Sequence, residues 1–244
     1  VTKFKKDSVI DIDMTPNRAD CLSVMGIARD LSPIYKKKVS MPKVAKLSTK
    51  TKSYIKGVNK KISTAYSILV IEDFDNSLVT PKNISDRLEL CGISQINFIV
   101  DVLNYVMLEI GQPMHVFDKD KLNGALDVRF AKKGEKINTL DGNEYILSTD
   151  IPIISDNNGP QAIAGVIGSN SSSVDRDTRS IVIESAFFNQ NLIRKSAKKF
   201  RLQTESSYRF ERGVDPNLNG LALGRVIDVV NQYSKIKKHV YNSV

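Results

Sequence analysis

The sequence predicts an α+β fold. Three observations carry that reading: strand-like runs crowd the middle of the chain, helical patterns sit on both flanks, and no regular β–α–β alternation links them. A doubly wound parallel sheet would need that alternation.

Taken in order, Val9–Met14 alternates as Val-Ile-Asp-Ile-Asp-Met and predicts a short strand, broken by Thr15-Pro16-Asn17. Asp20 is placed to cap a helix running to about Leu31, with Leu22, Met25, Ala28 and Leu31 on one stripe and Pro33 beyond its stop. A strand and one helix bury too little to fold alone, so residues 1–38 are expected to pack on something else. Residues 39–52 read as a basic linker, and a second unit runs over 53–244. There Ala65–Ile71 predicts a strand. Thr80-Pro81 opens a helix, with Gly92 past its end and Ile84, Leu88 and Cys91 as its buried stripe. Val100, Leu103, Met107 and Ile110 predict a second helix closed by Gly111. Leu126–Ala131 is a strand, and Asp141-Gly142 between two β-like runs is a two-residue hairpin signal. Ile151–Ile154, Gln161–Ile167 and Ile181–Ser185 read as further strands. Asn189–Phe200 is a basic helix and Leu218–Tyr233 an amphipathic one.

The 244 residues are 41% apolar, enough for one large domain or two small ones with a buried core. The 13 Gly and 8 Pro follow no fixed period, which excludes collagen-like and low-complexity classes. No apolar run approaches the roughly 18 residues of a membrane span. The N-terminus lacks the basic-then-apolar pattern of a signal peptide. A cytoplasmic protein with no membrane partner is expected. Residue 1 is Val, and the chain reads as a piece of a longer protein. Cys21 and Cys91 lie far apart in apolar helical patterns, which argues against a disulfide and fits a reducing cytosol. Two Cys and two His without CxxC or HExxH argue against a zinc site, so no metal ligands are expected.

The net charge of +9 is uneven: residues 1–63 hold 15 Lys and Arg against 5 acids, and the remainder 21 against 22. Ten lysines and no acid fall between Lys36 and Lys61. This stretch reads either as a solvated linker or as a phosphate-tracking surface. Lysine without arginine or interleaved aromatics suits loose phosphate contact over base recognition.

Several constellations could carry chemistry. His115, in Gly-Gln-Pro-Met-His-Val-Phe-Asp after a helix, sits on what reads as a proline-stiffened loop, where it either orients a substrate or is a half-buried structural histidine. Glu184 lies inside the apolar run Ser-Ile-Val-Ile-Glu-Ser-Ala-Phe-Phe; it faces a cavity or pairs with an arginine, because an unpaired buried carboxylate is costly. Gly165-Val-Ile-Gly168-Ser-Asn-Ser-Ser-Ser lacks the lysine of a P-loop and the third glycine of a dinucleotide fingerprint. It reads as backbone brought close to a ligand or strand, then a flexible turn. Thr204–Gly213 crowds Arg209, Arg212, Glu205 and Glu211 into an ion-pair network or a binding wall. No nucleophile elbow is found.

These residues resemble a known family. Thr15-Pro-Asn-Arg-Ala-Asp-Cys-Leu-Ser23 with Gly26-Ile-Ala-Arg29 is similar to the segment after the OB-type domain of bacterial phenylalanyl-tRNA synthetase β subunits. Val100–Tyr105, Leu108–Asp118, Leu140-Asp-Gly142, Ile183–Phe188 and Tyr208–Pro216 resemble successive motifs of the B3/B4 editing domain, in the same order. The resemblance implies that residues 1–38 are part of a split small helical domain and that 53–244 form a B3/B4 body with a β-barrel core and flanking helices. It implies hydrolysis of tyrosine wrongly esterified to tRNA(Phe), inside an enzyme that joins phenylalanine to tRNA(Phe) with ATP and Mg2+. The implied partners are tRNA(Phe) and an α subunit in an α2β2 assembly. No cofactor is implied for this stretch itself.

By the same resemblance, Glu184 takes the tyrosine hydroxyl, His115 is the editing histidine, and Thr204 is a pocket threonine. Asn104 and Gly165 are a pocket side chain and a pocket backbone, and Ser206 keeps the pocket open. Two positions depart from the family: Leu103 stands where threonine is common, and Ser94 replaces an arginine. If both line the pocket, they remove a hydroxyl and a cation, giving a slower but still selective site that Leu103→Thr with Ser94→Arg should speed. The alternative is a domain of the same fold kept for structure and tRNA placement.

Overall fold

A computed structural model of the chain describes residues 1–4, 7–49 and 53–244. Positions 50–52 of the basic linker lie outside the described residues. The chain opens with strands β1 (Thr2–Phe4) and β2 (Asp7–Val9), which pair antiparallel. The strand expected over Val9–Met14 stops at Val9: Ile10 and Ile12 are exposed, so the alternation meets no surface to bury it. A 3-10 turn (Ala19–Cys21) precedes α1 (Val24–Tyr35). The cap is Ser23, whose hydroxyl accepts from the Gly26 N–H, and not Asp20. Asp20 instead pairs with Arg18, which also bonds Asp30 and the Cys21 sulfur. Pro33 lies inside the helix, and Lys36 in the left-handed conformation ends it. α1 rests on the third helix but leaves Val24, Leu31, Ile34 and Tyr35 exposed.

The body follows with β3 (Ile55–Val58), β4 (Ser63–Ile71), α2 (Lys82–Leu90), α3 (Phe98–Ile110), β5 (Met114–Asp118), β6 (Leu126–Phe130), β7 (Lys136–Asn138), β8 (Glu144–Ile146), β9 (Pro152–Asp156), β10 (Gly159–Ile163), β11 (Ile167–Gly168), β12 (Ile181–Phe188), α4 (Gln190–Phe200), α5 (Glu205–Phe210), α6 (Leu218–Val230) and β13 (His239–Ser243). The fold is α+β. Strand pairing gives a five-stranded sheet, β11-β10-β9-β6-β3, a four-stranded sheet, β13-β4-β12-β5, and the β7-β8 hairpin.

Period-two alternation on the central strands builds two cores. From β4 and β12, Ile68, Val70, Val182, Ala186 and Phe188 join Val128, Ile153 and Ile163 between the sheets. Their neighbours Leu69, Ile71, Ile181 and Ile183 join α2, α3 and α6 on the other side. Burial on both faces explains why β12 reads as a continuous apolar run. Arg225 makes a bidentate pair with Glu109, tying α6 to α3 at 2.7 and 3.0 Å.

Several local expectations change. Thr80 does not cap α2; its hydroxyl donates to the buried Asp101. Cys91 is exposed, and both cysteines are free. The Asp141-Gly142 turn is a three-residue loop: the Thr139 N–H reaches the Asn143 carbonyl, and Gly142 takes positive φ. Gln161–Ile167 is not one strand but parts of β10 and β11, joined by a turn over 164–166. The serine run beyond it forms a 3-10 turn bonded to its surroundings: the Ser169 hydroxyl donates to Asn138 O and the Asn170 amide to Thr139 O. Nor is 39–49 a free linker. Ala45 donates to Gly224 O, Ser48 O accepts from Tyr241, and Ala45 and Leu47 pack on the helix-side core.

Candidate functional site

The site is built on β5, where a loop was expected. Two surfaces bury this five-residue strand, so Met-His-Val-Phe-Asp has neither helical nor simple alternating polarity. Phe117 faces the core between the sheets and Val116 the helices, which places His115 on the between-sheet face. Glu184 lies directly opposite His115 on β12 and opposite Ile68 on β4. Residues directly opposite on antiparallel strands share a face, so the carboxyl and the imidazole open into one cleft. Its empty volume is about 340 Å³, and its walls include Met114, Ile163, Gly165, Gly168, Ser206 and Phe210.

The surroundings set the charges. Glu184 is 4% exposed, and burial pushes its carboxyl up to about 8. The Tyr66 hydroxyl donates to Glu184 Oε2 at 3.5 Å and opposes that rise. His115 packs edge-on against Phe117, with ring centres 4.5 Å apart, and burial pushes its imidazole down to about 4. At neutral pH both groups are uncharged. A protonated carboxyl can donate one hydrogen bond and accept another, which fits it to read a hydroxyl. A neutral imidazole can also accept or donate.

Two glycines make room for this arrangement. A Cβ on Gly168 would lie 2.5 Å from His115 Nε2, so the ring rests on bare backbone. Gly165, at φ +66, turns the chain between β10 and β11, and no backbone carbonyl among the described residues takes its N–H. Thr204 caps α5, accepting from Ser207 N at 3.0 Å and donating to Val166 O at 2.9 Å. The Ser207 hydroxyl accepts from Thr204 N in return, completing a capping box. Thr204 thus joins α5 to the cleft-forming turn.

A protein-family model described as B3/4 domain matches residues 63–235. The chain belongs to the B3/4 domain family. It is similar to the phenylalanine–tRNA ligase beta subunit of Aquifex aeolicus, 47% identical over 86% of this chain and 27% of that protein. The Francisella tularensis protein of the same name is 43% identical over 93% of this chain and 29% of that protein. The Photorhabdus laumondii one is 41% identical over 92% and 28%. The chain therefore spans less than a third of the length of these relatives. A solved N-terminal fragment of the phenylalanyl-tRNA synthetase beta subunit from Pyrococcus horikoshii is 17% identical, with TM-score 0.43 over 73% of this chain and 55% of that one. At that distance the likeness carries no argument about the site.

Within this B3/4 domain, the cleft gathers four of the expected site residues: His115, Glu184, Gly165 and Ser206. Thr204 acts through its cap and Val166. Asn104, on α3, does not line the cleft and is half-buried. Leu103 is 4% exposed in the helix-side core, and Ser94 is exposed on the loop between α2 and α3. The departures at Leu103 and Ser94 thus leave the described cleft wall unchanged. Among the described residues Glu184 has no arginine partner, whereas Thr204–Gly213 does hold an ion-pair network: Arg209 with Glu205, Arg212 with Glu211, and the Arg212 guanidinium over the Tyr208 ring. Sequence reasoning missed Tyr66; it expected a close backbone approach at Gly165–Gly168, but not that the His115 ring rests on Gly168. Tyr66 had a usable signal, since it lies two residues from Ile68 on an expected strand, but only the register of β4 with β12 brings it near Glu184. Asp20, Cys21 and Asp30 approach one another closely enough to hold a metal ion, but the Arg18 guanidinium already bonds all three.

Proposed function

We propose that this chain hydrolyses the ester of tyrosine wrongly attached to tRNA(Phe), as the editing unit of a phenylalanine–tRNA ligase β subunit. The observation that carries the proposal is the buried Glu184 directly across the strand pair from His115, both opening into one cleft. A synthetic pocket built for phenylalanine rejects an added hydroxyl poorly by packing alone. The cleft inverts that problem. A tyrosine hydroxyl satisfies Glu184, whereas a phenylalanine ring displaces water from the carboxyl and returns nothing. An unsatisfied buried group costs about 1–3 kcal/mol, which corresponds to roughly 5–150-fold discrimination.

Ser206 is the one hydroxyl side chain in the cleft wall, and among the described residues no hydrogen bond joins it to His115, so water attacks the ester carbonyl directly. The carbonyl oxygen becomes an oxyanion, and the Gly165 N–H in the cleft wall, unclaimed by any backbone carbonyl among the described residues, would receive it. The ester C–O bond then breaks, releasing tyrosine and the tRNA hydroxyl. His115, neutral at pH 7, orients the ester or the water and is not the sole base.

The whole enzyme would join phenylalanine to tRNA(Phe) with ATP and Mg2+, paired with an α subunit in an α2β2 assembly. The cleft does not fit ATP or Mg2+: its one carboxyl is held protonated and its wall carries no cation. The ligase chemistry therefore takes no step through it. The deciding experiment compares Tyr-tRNA(Phe) and Phe-tRNA(Phe) hydrolysis by the full synthetase with wild-type Glu184 and with Glu184→Ala. Loss of tyrosine preference is expected; unchanged preference would sink the proposal.

A further inference from the structure

We propose that the outer face of α4 is a phosphate-docking surface that receives the RNA strand whose aminoacylated end enters the cleft; this rests on the ester-hydrolysis reading above. Residues 190–201 carry Arg194, Lys195, Lys198, Lys199 and Arg201 and no acid. All five are exposed, and among the described residues only Lys199 has an ion-pair partner, Asp150.

Helix physics does not account for this charge. The macrodipole favours Lys198 and Lys199 in the last turn, but it does nothing for Arg194 and Lys195 at mid-helix. Arg194 and Lys198, and Lys195 and Lys199, are like-charge pairs four residues apart, a spacing that destabilises a helix. A polyanion laid along the face would relieve both repulsions.

Position selects the partner. Arg194, Lys198 and Arg201 lie on one row about 10 Å long at the helical rise and line a groove with Ser207 of α5 and Glu211 just past its end. Glu211 is paired with Arg212. The adjoining face of α5, about 100° round the helix, supplies Ser206 and Phe210 to the cleft. Beneath α4, Ile193 packs on Gly165, with its Cδ1 3.0 Å from where a glycine Cβ would stand. The basic groove and the cleft are thus separated by one short helix. A strand with its phosphates on α4 has its end within reach of Glu184.

The test combines Arg194→Gln, Lys195→Gln, Lys198→Gln and Arg201→Gln. In the 244-residue chain, anisotropy with uncharged tRNA(Phe) is measured between about 50 and 200 mM salt. The variant should bind at least about tenfold more weakly at low salt. The slope of log K against log salt should shrink by about 3, as expected for four lost phosphate contacts. A matched variant, Lys36→Gln, Lys37→Gln, Lys38→Gln and Lys43→Gln, should stay within about twofold of wild type. In the full synthetase, the α4 variant should raise KM for Tyr-tRNA(Phe) hydrolysis about tenfold, hold kcat, and leave hydrolysis of the phosphate-free ester tyrosyl-adenosine unchanged. Wild-type affinity and slope in the α4 variant, or loss only in the matched variant, would overturn the proposal. If the wild-type enzyme hydrolyses neither ester, the ester reading fails, and the anisotropy arm still decides whether α4 docks RNA.

Discussion

Glu184 and His115 are direct cross-strand partners, paired in register on β12 and β5 with both side chains turned into the same cleft. This relationship puts the only cleft-lining carboxyl beside the only cleft-lining imidazole among the described residues. Burial then moves their proton affinities in opposite directions, keeping both neutral near pH 7.

That opposition predicts a pH signature in stability. The folded chain keeps a proton on Glu184 between about 4.5 and 8 that the unfolded chain releases. Its contribution is therefore full at low pH and is lost as pH rises toward 8. His115 behaves conversely: its folded value is about 4 against 6.5, so stability is lost as pH falls from 6.5 toward 4. Between pH 6.5 and 8 only Glu184 acts. Glu184→Gln, uncharged throughout, should gain about 1–2 kcal/mol relative to wild type over that interval. Urea unfolding at the two pH values measures it, and a constant gap between the proteins would refute the buried-proton account.

Gly168→Ala probes the platform under His115. The added methyl would sit 2.5 Å from Nε2, so the ring must swing away or the β10–β11 turn must move. Overpacking of this kind costs about 1–3 kcal/mol. Hydrolysis of Tyr-tRNA(Phe) should drop at least about tenfold, as the misplaced imidazole no longer meets the ester. Melting temperature and deacylation rate, measured on the same preparation, separate the two effects. A fully active Gly168→Ala protein would mean that the position of the ring does not matter.

Thr204→Val keeps the shape of the side chain and removes its hydroxyl. The cap on Ser207 N and the bond to Val166 O are both lost, and cap loss alone costs about 0.5–2 kcal/mol. Thr204→Ser retains both bonds and should stay within about 0.5 kcal/mol of wild type. Denaturant midpoints check the order. Because Thr204 reaches the cleft only through Val166, Thr204→Val should slow hydrolysis without changing the Tyr-over-Phe preference.

Local pattern made much of this architecture legible. Helices α2, α3, α4 and α6 follow their apolar periodicity, with Gly111 closing α3 as expected, and Glu184 drew attention because a carboxylate in an apolar strand needs a reason to be there. What escaped depended on non-local pairing. β5 has too few residues for a period to emerge, and its identity as a strand comes from β12 alongside it. β13 is specified by β4 in the same way. The strap over 39–49 read as linker because its apolar residues Val39, Met41, Val44, Ala45 and Leu47 follow no sustained helical or strand period, and contacts with the distant Gly224 and Tyr241 fix where it docks. Tyr66 became a site residue only once the register put its hydroxyl on Glu184.

Leu103 is where helical period and family resemblance disagree. The 3.6-residue period puts Leu103 on the buried stripe of α3 with Met107 and Ile110, and the residue is indeed 4% exposed in the helix-side core. The resemblance instead implied a pocket position that a threonine would improve. Leu103→Thr removes buried apolar volume and introduces a hydroxyl among aliphatic neighbours, a change worth about 2–4 kcal/mol of destabilisation. Ser94→Arg, on an exposed loop, should change stability by no more than about 0.5 kcal/mol. Neither residue lines the cleft, so the paired substitution should lower the denaturant midpoint while leaving the hydrolysis rate per folded molecule within about twofold. Single-turnover deacylation, normalised to the folded fraction, tests this. A clear acceleration would show that the bound ester extends beyond the described cleft onto α3, and that the period-derived role of Leu103 is incomplete.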